Sequence, residues 1–129
     1  MTAQIIDGTA IAAAVRAEVA ERVASFVASG RRAPHLSVVL VGDDPASHTY
    51  VGMKGKAAVE VGMTSDTVLM PATATFEEIM ATVARLNADP NVSGILVQSP
   101  LPAGIDEPAV MSSIRVEKDV DGLTPASLG

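Results

Sequence analysis

Cysteine is absent from the 129 residues, and so is tryptophan. Without thiols there is no disulfide framework and no Cys-ligated zinc or iron–sulfur site. Aromatic side chains amount to 2%: Phe26, Phe76 and Tyr50. So few rings exclude a stacking platform for single-stranded nucleic acid, and they leave the core to Val, Ile, Leu, Ala and Met. Basic residues are scarce too. Nine Lys and Arg stand against fifteen Asp and Glu, for a net charge of −6. Sequence-independent binding to phosphate backbones relies on Lys and Arg, so no nucleic-acid partner is expected. No run approaches the ~18 consecutive apolar residues of a membrane span. The start, from Met1 to Asp7, lacks the basic stretch and apolar run of a signal peptide. The expectation is a cytoplasmic protein without a membrane partner, one domain by size with at most a stub of a second. Hydrophobic residues at 48% against charged residues at 19% support a packed core.

What is present is alternation. Thr9 to Ser29 carries Ile11, Val15, Val19, Val23, Phe26 and Val27 at helical spacing, with Thr9 as N-cap and Gly30 as the stop. His35 to Val41 is short, apolar and β-branched, the pattern of a buried parallel strand. Gly42-Asp-Asp-Pro45 signals a turn. A second helix then runs from about Pro45 or Ala46 to Val61 and ends at Gly62. Thr64 to Leu69 is a second strand. Thr75 and Glu78 form a capping box that opens a third helix through Leu86. Gly94 to Gln98 is a third buried strand, and a short helix follows near Glu107 to Ser113. Strands alternating with helices predict an α/β fold, a three-layer domain with a mainly parallel sheet flanked by helices. In such sheets the ligand cleft lies beyond the carboxyl ends of the strands. The loop from Gly42 to Ser47 and the loop that begins at Gln98 stand there.

Several polar residues converge on that edge. Ser47, Tyr50 and Lys54 lie at i, i+3 and i+7 and share one helix face. Ala57, Ala58 and Val61 continue that side, so the face is expected to turn toward the protein body. A lysine turned inward and stripped of water would hold its proton less firmly and become a usable general acid or base. The plainer alternative is a snorkelling lysine beside a core tyrosine. Lys56 lies on the opposite side of the helix and reads as solvated. Gln98 ends a buried strand, where its amide can orient a neighbouring lysine or a ligand carbonyl; it is equally compatible with an ordinary strand-end polar residue. Pro100 and Pro102 stiffen the following loop, and either bond before them is a candidate for the cis form. In Lys118-Asp-Val-Asp-Gly122 the paired carboxylates lack the later acidic ligands of an EF-hand, so no metal site is expected. An aspartate in such a turn suits recognition of an N–H/NH₂ edge on a heterocycle. Tyr50-x-x-x-Lys54 matches the spacing of short-chain dehydrogenases, but those need a glycine-rich coenzyme loop upstream, and only Gly8 and Gly30 are near. His48 and the acceptor-like Asn91-Val-Ser93 suggest no chemistry, and the pair Arg31-Arg32 reads as solvated, with an anionic ligand tail as the alternative partner.

Four segments in order carry a resemblance. They are Ile5-Ile-Asp-Gly-Thr-Ala-Ile-Ala12, the stretch VVLVGDDPASHTYVGMKGKAAVEVGM from Val38 to Met63, GILVQSPLP from Gly94 to Pro102, and KDVDGLTP from Lys118 to Pro125. Over nearly the whole chain they resemble the bifunctional methylenetetrahydrofolate dehydrogenase/methenyltetrahydrofolate cyclohydrolase family. The resemblance implies oxidation of 5,10-methylenetetrahydrofolate by hydride transfer to NADP, then hydrolysis of the methenyl form to 10-formyltetrahydrofolate. These are steps of one-carbon metabolism that serve purine biosynthesis. Carried over, Lys54 looks like the catalytic lysine, Tyr50 like the residue lining the folate, and Gln98 like the partner that orients Lys54. Ser47 looks like the serine near the lysine, Pro100, Leu101 and Pro102 like the pterin pocket wall, and Asp121 like the anchor of the pterin edge.

The chain also departs from the family pattern. Ser99 stands where leucine is usual, Leu123-Thr124 replace Phe-His, and Gly52-Met53 replace basic residues before the lysine. None removes a proposed catalytic group. The family adds a C-terminal Rossmann domain that binds NADP, and no G-x-G-x-x-G loop occurs in these residues. The expectation is therefore that residues 1–129 are the folate-binding catalytic domain, ending at the crossing to a coenzyme domain that this chain lacks. A tetrahydrofolate derivative is the expected small-molecule partner, NADP the cofactor, and a homodimer the full-length assembly. Two alternatives compete: a folate-binding module without turnover, and an α/β interaction domain whose lysine is structural.

Overall fold

The structure, a computed structural model, describes residues 8–120, with side chains for all of these except residues 8–10 and 12. The elements run α1 (Gly8–Ala28), β1 (His35–Val41), α2 (Pro45–Glu60), β2 (Thr64–Met70), α3 (Phe76–Ala88), β3 (Gly94–Val97) and α4 (Glu107–Ser112). A single 3₁₀ turn follows at Val116–Lys118. The strands form one parallel sheet in the order β2-β1-β3. The expected three-layer α/β arrangement is present.

The strands sort their side chains by alternation. Val39 and Val41 of β1 and Ile95 and Val97 of β3 face one side, where Ile79, Val83 and Leu86 of α3 and Val110 and Met111 of α4 cover them. Val38, Leu40 and Leu96 face the other side and meet Val51 of α2. β1 is central and its last five residues are buried, which is why Val38 to Val41 read as an unbroken apolar run. β2 is an edge strand, and its residues are mostly exposed or half-buried. The sheet gains one more pairing beyond β3, a parallel bridge between Ile95 and Asp119. This brings the chain after α4 back alongside β3. Gly94 permits the approach: a Cβ there would lie 2.5 Å from Val120 Cγ1.

The helix ends follow local chemistry. Asp44 caps α2 by accepting from the Ala46 N–H, and Pro45 occupies the first turn, where its missing N–H costs nothing. Gly62 takes a φ of 92° just past α2, a conformation favoured by glycine. Thr75 and Glu78 form the reciprocal capping box of α3.

Two expectations need correction. α1 includes Gly8, so Thr9 lies inside the helix rather than capping it. Among the described residues, the apolar face expected along α1 is also largely uncovered. Val23 is buried, whereas Ile11, Val15, Phe26 and Val27 are exposed. Helical spacing of apolar residues reports a helix correctly, but it does not say whether a second surface exists to meet it.

Candidate functional site at the carboxyl edge of the sheet

β1 is the switch point of the sheet. Its connection forward reaches β2 on one side, while β3 pairs on its other side. A crevice therefore opens beyond the carboxyl ends of β1 and β3. Its walls are the two loops singled out in the sequence. Gly42, Asp43 and Asp44 come from the first, Pro100, Leu101 and Pro102 from the second, and with Val41 and Ala72 they line a pocket of ≈ 240 Å³. His48 holds the first loop by donating from Nε2 to the Gly42 carbonyl at 3.0 Å.

Lys54 and Gln98 meet beside this crevice. Gln98 continues β3, since its backbone N–H donates to the Val39 carbonyl at 2.9 Å. By alternation its side chain lies on the α2 side of the sheet, with Leu96. It is buried, and its Oε1 accepts from Lys54 Nζ at 2.9 Å. Its Nε2 donates to the Ser99 carbonyl at 2.8 Å. The amide is thus held at both ends and presents its acceptor to the ammonium.

The inward turn expected of Lys54 and Tyr50 does not occur. Lys54 is exposed, and Tyr50 is 56% exposed. Within α2 the buried positions are Ser47, Val51 and Ala58. At ~100° per residue, Lys54 lies about 40° and Tyr50 about 80° to one side of their centre. α2 packs mainly over β1 and β2, so that flank overhangs the gap toward the β3 side. Lys54 reaches across it to Gln98. The premise of a lysine stripped of water therefore fails, and the proton-handling case rests on the Gln98 contact instead. Ser47 is buried in the first turn of α2, as its place on the helix face requires.

The loop after Gln98 is fixed by a residue that the sequence reading passed over. Glu107, at the start of α4, accepts from Ser99 Oγ through Oε2 and from the Leu101 N–H through Oε1, both at 2.7 Å. The bond between Ser99 and Pro100 is cis, one of the two expected candidates. Lys118, marked in the sequence only as part of the Lys118-Asp-Val-Asp-Gly122 turn, holds a second segment. Its Nζ donates to the carbonyls of Leu86, Asn87 and Asp89 at 3.1, 2.9 and 2.8 Å. A cation thus closes the carboxyl end of α3, where the helix dipole is negative, and fixes the chain that leads into Asp119. A lysine next to a helix end in space but thirty residues away in sequence leaves no local signal. Asp121, expected to converge on the same edge, lies outside the described residues.

A second polar cluster sits at the opposite, amino edge. His35 Nε2 and Ser37 Oγ both donate to Asp66 Oδ1, at 2.7 and 2.6 Å, and His35 Nδ1 pairs with Thr64 Oγ1 at 2.6 Å. Burial pushes the Asp66 carboxyl up, but the hydrogen bonds from Ser37 and His35 and the charges of His35 and Arg85 together outweigh it. The net effect holds the carboxyl below the ordinary carboxylate range. Arg32, Arg85, Asp89 and Asn91 help to line the ≈ 310 Å³ cavity around this cluster.

Fold and site define a class: a three-layer α/β domain with a lysine–amide pair at the switch-point edge of a parallel sheet. The chain belongs to the tetrahydrofolate dehydrogenase/cyclohydrolase family, whose catalytic-domain pattern matches residues 6–121. It is 55% identical over 127 residues to the bifunctional protein FolD of Sphingopyxis alaskensis, covering 98% of this chain and 42% of that protein. It superposes with a TM-score of 0.96 on a 5,10-methylenetetrahydrofolate dehydrogenase from the silkworm Bombyx mori, at 41% identity over 99% of this chain and 44% of that one. A Trypanosoma brucei methylenetetrahydrofolate dehydrogenase-cyclohydrolase, solved with NADP and an inhibitor, matches at 41% identity with a TM-score of 0.88, over 95% of this chain and 41% of that one. The chain thus spans less than half the length of these relatives.

Proposed function

We propose that this chain supplies the folate-binding catalytic half of an enzyme that oxidises 5,10-methylenetetrahydrofolate with NADP and hydrolyses the methenyl product to 10-formyltetrahydrofolate. The observation that carries the reading is the Lys54–Gln98 contact at 2.9 Å beside the switch-point crevice, in a chain of this family. In the hydrolytic half-reaction, water adds to the electrophilic one-carbon bridge, and one carbon–nitrogen bond of the ring then breaks. Protons must leave the water and reach the departing nitrogen. Lys54, exposed and held by a neutral acceptor, is placed to give a proton to the departing nitrogen and, as the amine so formed, to take one back from the added water. Gln98 keeps the ammonium oriented without neutralising it. Tyr50 lines the folate, Ser47 supports the start of α2, and Pro100, Leu101 and Pro102 wall the pterin pocket. Asp121 anchors the pterin edge.

NADP does not fit the described loops. The one after β1 presents Asp43 and Asp44, and the one after β3 presents Pro100 and Pro102, which lack backbone N–H donors. Carboxylates and missing donors are the opposite of a pyrophosphate cradle. We assign the coenzyme to a Rossmann domain that follows this stretch in the whole enzyme. We further assign that enzyme to the cytoplasm, as a homodimer, in the one-carbon supply to purine synthesis.

The test is Lys54→Ala in the full-length enzyme. Methenyl hydrolysis should fall by ~10²–10⁴-fold, the usual worth of acid–base assistance, with the thermal midpoint unchanged. A folate-binding module without turnover would show altered binding only. A near-wild-type hydrolysis rate would overturn the mechanism.

A further inference from the structure

We propose that Glu107 is a positioning residue for the Lys54–Gln98 pair, acting through the loop between them. The inference rests on the reading of Lys54 given above. A side-chain amide has two unlike ends, and only one of them suits an ammonium. Were Gln98 reversed, its NH₂ group would face the Lys54 Nζ, donor against donor. What selects the productive orientation is the Ser99 carbonyl, which accepts from Gln98 Nε2 at 2.8 Å and so leaves Oε1 for Lys54. The position of that carbonyl is set in turn by Glu107. One carboxylate oxygen takes the Ser99 hydroxyl and the other takes the Leu101 N–H, each at 2.7 Å. The two holds lie on either side of Pro100, so they fix the loop at two points rather than one.

The neighbouring acid is not free to substitute. Asp106 Oδ1 accepts from the Ala109 N–H as the cap of α4. Glu107 instead turns back from the helix onto the loop. Hydrogen bonds to an ionised carboxylate are about twice as strong as neutral ones, and this one is engaged twice. A continuous path results, from Glu107 through Ser99 and Leu101 to Gln98 and then Lys54. Glu107 need touch no substrate to matter.

The experiment uses the full-length enzyme, with methenyl hydrolysis as the activity. Glu107→Ala should lower kcat by at least about tenfold, since small misplacements of a catalytic group are costly, while KM changes little. Glu107→Gln should rescue most of the rate, because its Oε1 can still accept from Leu101 and its Nε2 can donate to the Ser99 hydroxyl. In a Gln98→Ala background, Glu107→Ala should have no further effect on kcat, because the path runs through Gln98. An equal loss of kcat with and without Gln98 would overturn the proposal, as would an unchanged kcat in Glu107→Ala. A purely structural role would lower the thermal midpoint but would produce neither the KM–kcat split nor the dependence on Gln98.

A second readout separates this proposal from the functional reading. The NH₂ resonances of the Gln98 side chain should shift in Glu107→Ala and hold in Glu107→Gln, whether or not the enzyme turns over. If the wild type hydrolyses nothing, the functional reading fails while these resonances still decide the position of Gln98. If they do not move in Glu107→Ala, the proposal fails. Should Glu107→Ala not fold, Ser99→Ala removes one of the two holds and is read by the same resonances.

Discussion

The two ends of the sheet use their polar residues in opposite ways. At the amino end, Asp66 receives His35 and Ser37 on a single oxygen, and the pair ties β1 to β2. Its partners are committed to each other, and the result is a clasp. At the carboxyl end, Lys54 meets a neutral amide and stays exposed. Its charge is oriented but not cancelled, and solvent or a ligand can reach it. Both clusters contain residues that often serve in catalysis, a histidine and an aspartate at one end and a lysine at the other. What separates them is the partner set: two donors, a histidine and a serine, hold the Asp66 carboxylate, whereas a single neutral amide oxygen holds Lys54. The cavity at the clasp is no smaller than the crevice at the other end, so size alone would favour the amino edge.

Substitutions at either end test this contrast. The largest effect is expected at Lys54, where the loss is in rate and not in stability. Next comes Lys118→Met, which keeps the apolar stem but leaves the carbonyls of Leu86, Asn87 and Asp89 without their cation. A loss of about 2–3 kcal/mol is expected from a capping charge and its hydrogen bonds, measured by urea unfolding. An unchanged midpoint would mean that water replaces the ammonium at no cost. The amino-end clasp predicts a pH signature. The Asp66 carboxyl is held low in the folded state, so its contribution is present above the unfolded carboxylate value of about 3.9 and is lost as pH falls through the lower, folded value. The thermal midpoint of the wild type should therefore approach that of Asp66→Asn between pH 5 and pH 2. A constant gap over that range would contradict the clasp. The smallest effect belongs to α1. Val15 is exposed, so Val15→Ser should change stability by no more than about 0.5 kcal/mol.

Much of this was readable in the residues. The three strands, α2, α3 with its capping box and α4 follow from periodicity, caps and turn residues, and those signals are local. The Lys54–Gln98 pairing was legible because each residue sits at a predictable place, one on a helix flank and one at a strand end. What was not legible depends on distance through space. The exposure of Lys54 follows from where α2 lies across the sheet, mainly over β1 and β2. The holds of Glu107 and Lys118 join segments whose approach only the folded chain defines. The uncovered face of α1 is a third case, since apolar spacing states a preference for burial and not its fulfilment.

Which edge of the sheet takes the ligand is decided by mapping where a reduced folate binds. 5-Formyltetrahydrofolate, a stable reduced folate, can be titrated into ¹⁵N-labelled protein while backbone amide shifts are followed. The account predicts shifts in residues 42–54 and 98–101, with His35, Asp66 and Asn91 unmoved. Shifts concentrated at the amino edge, around His35 and Asp66, would contradict it.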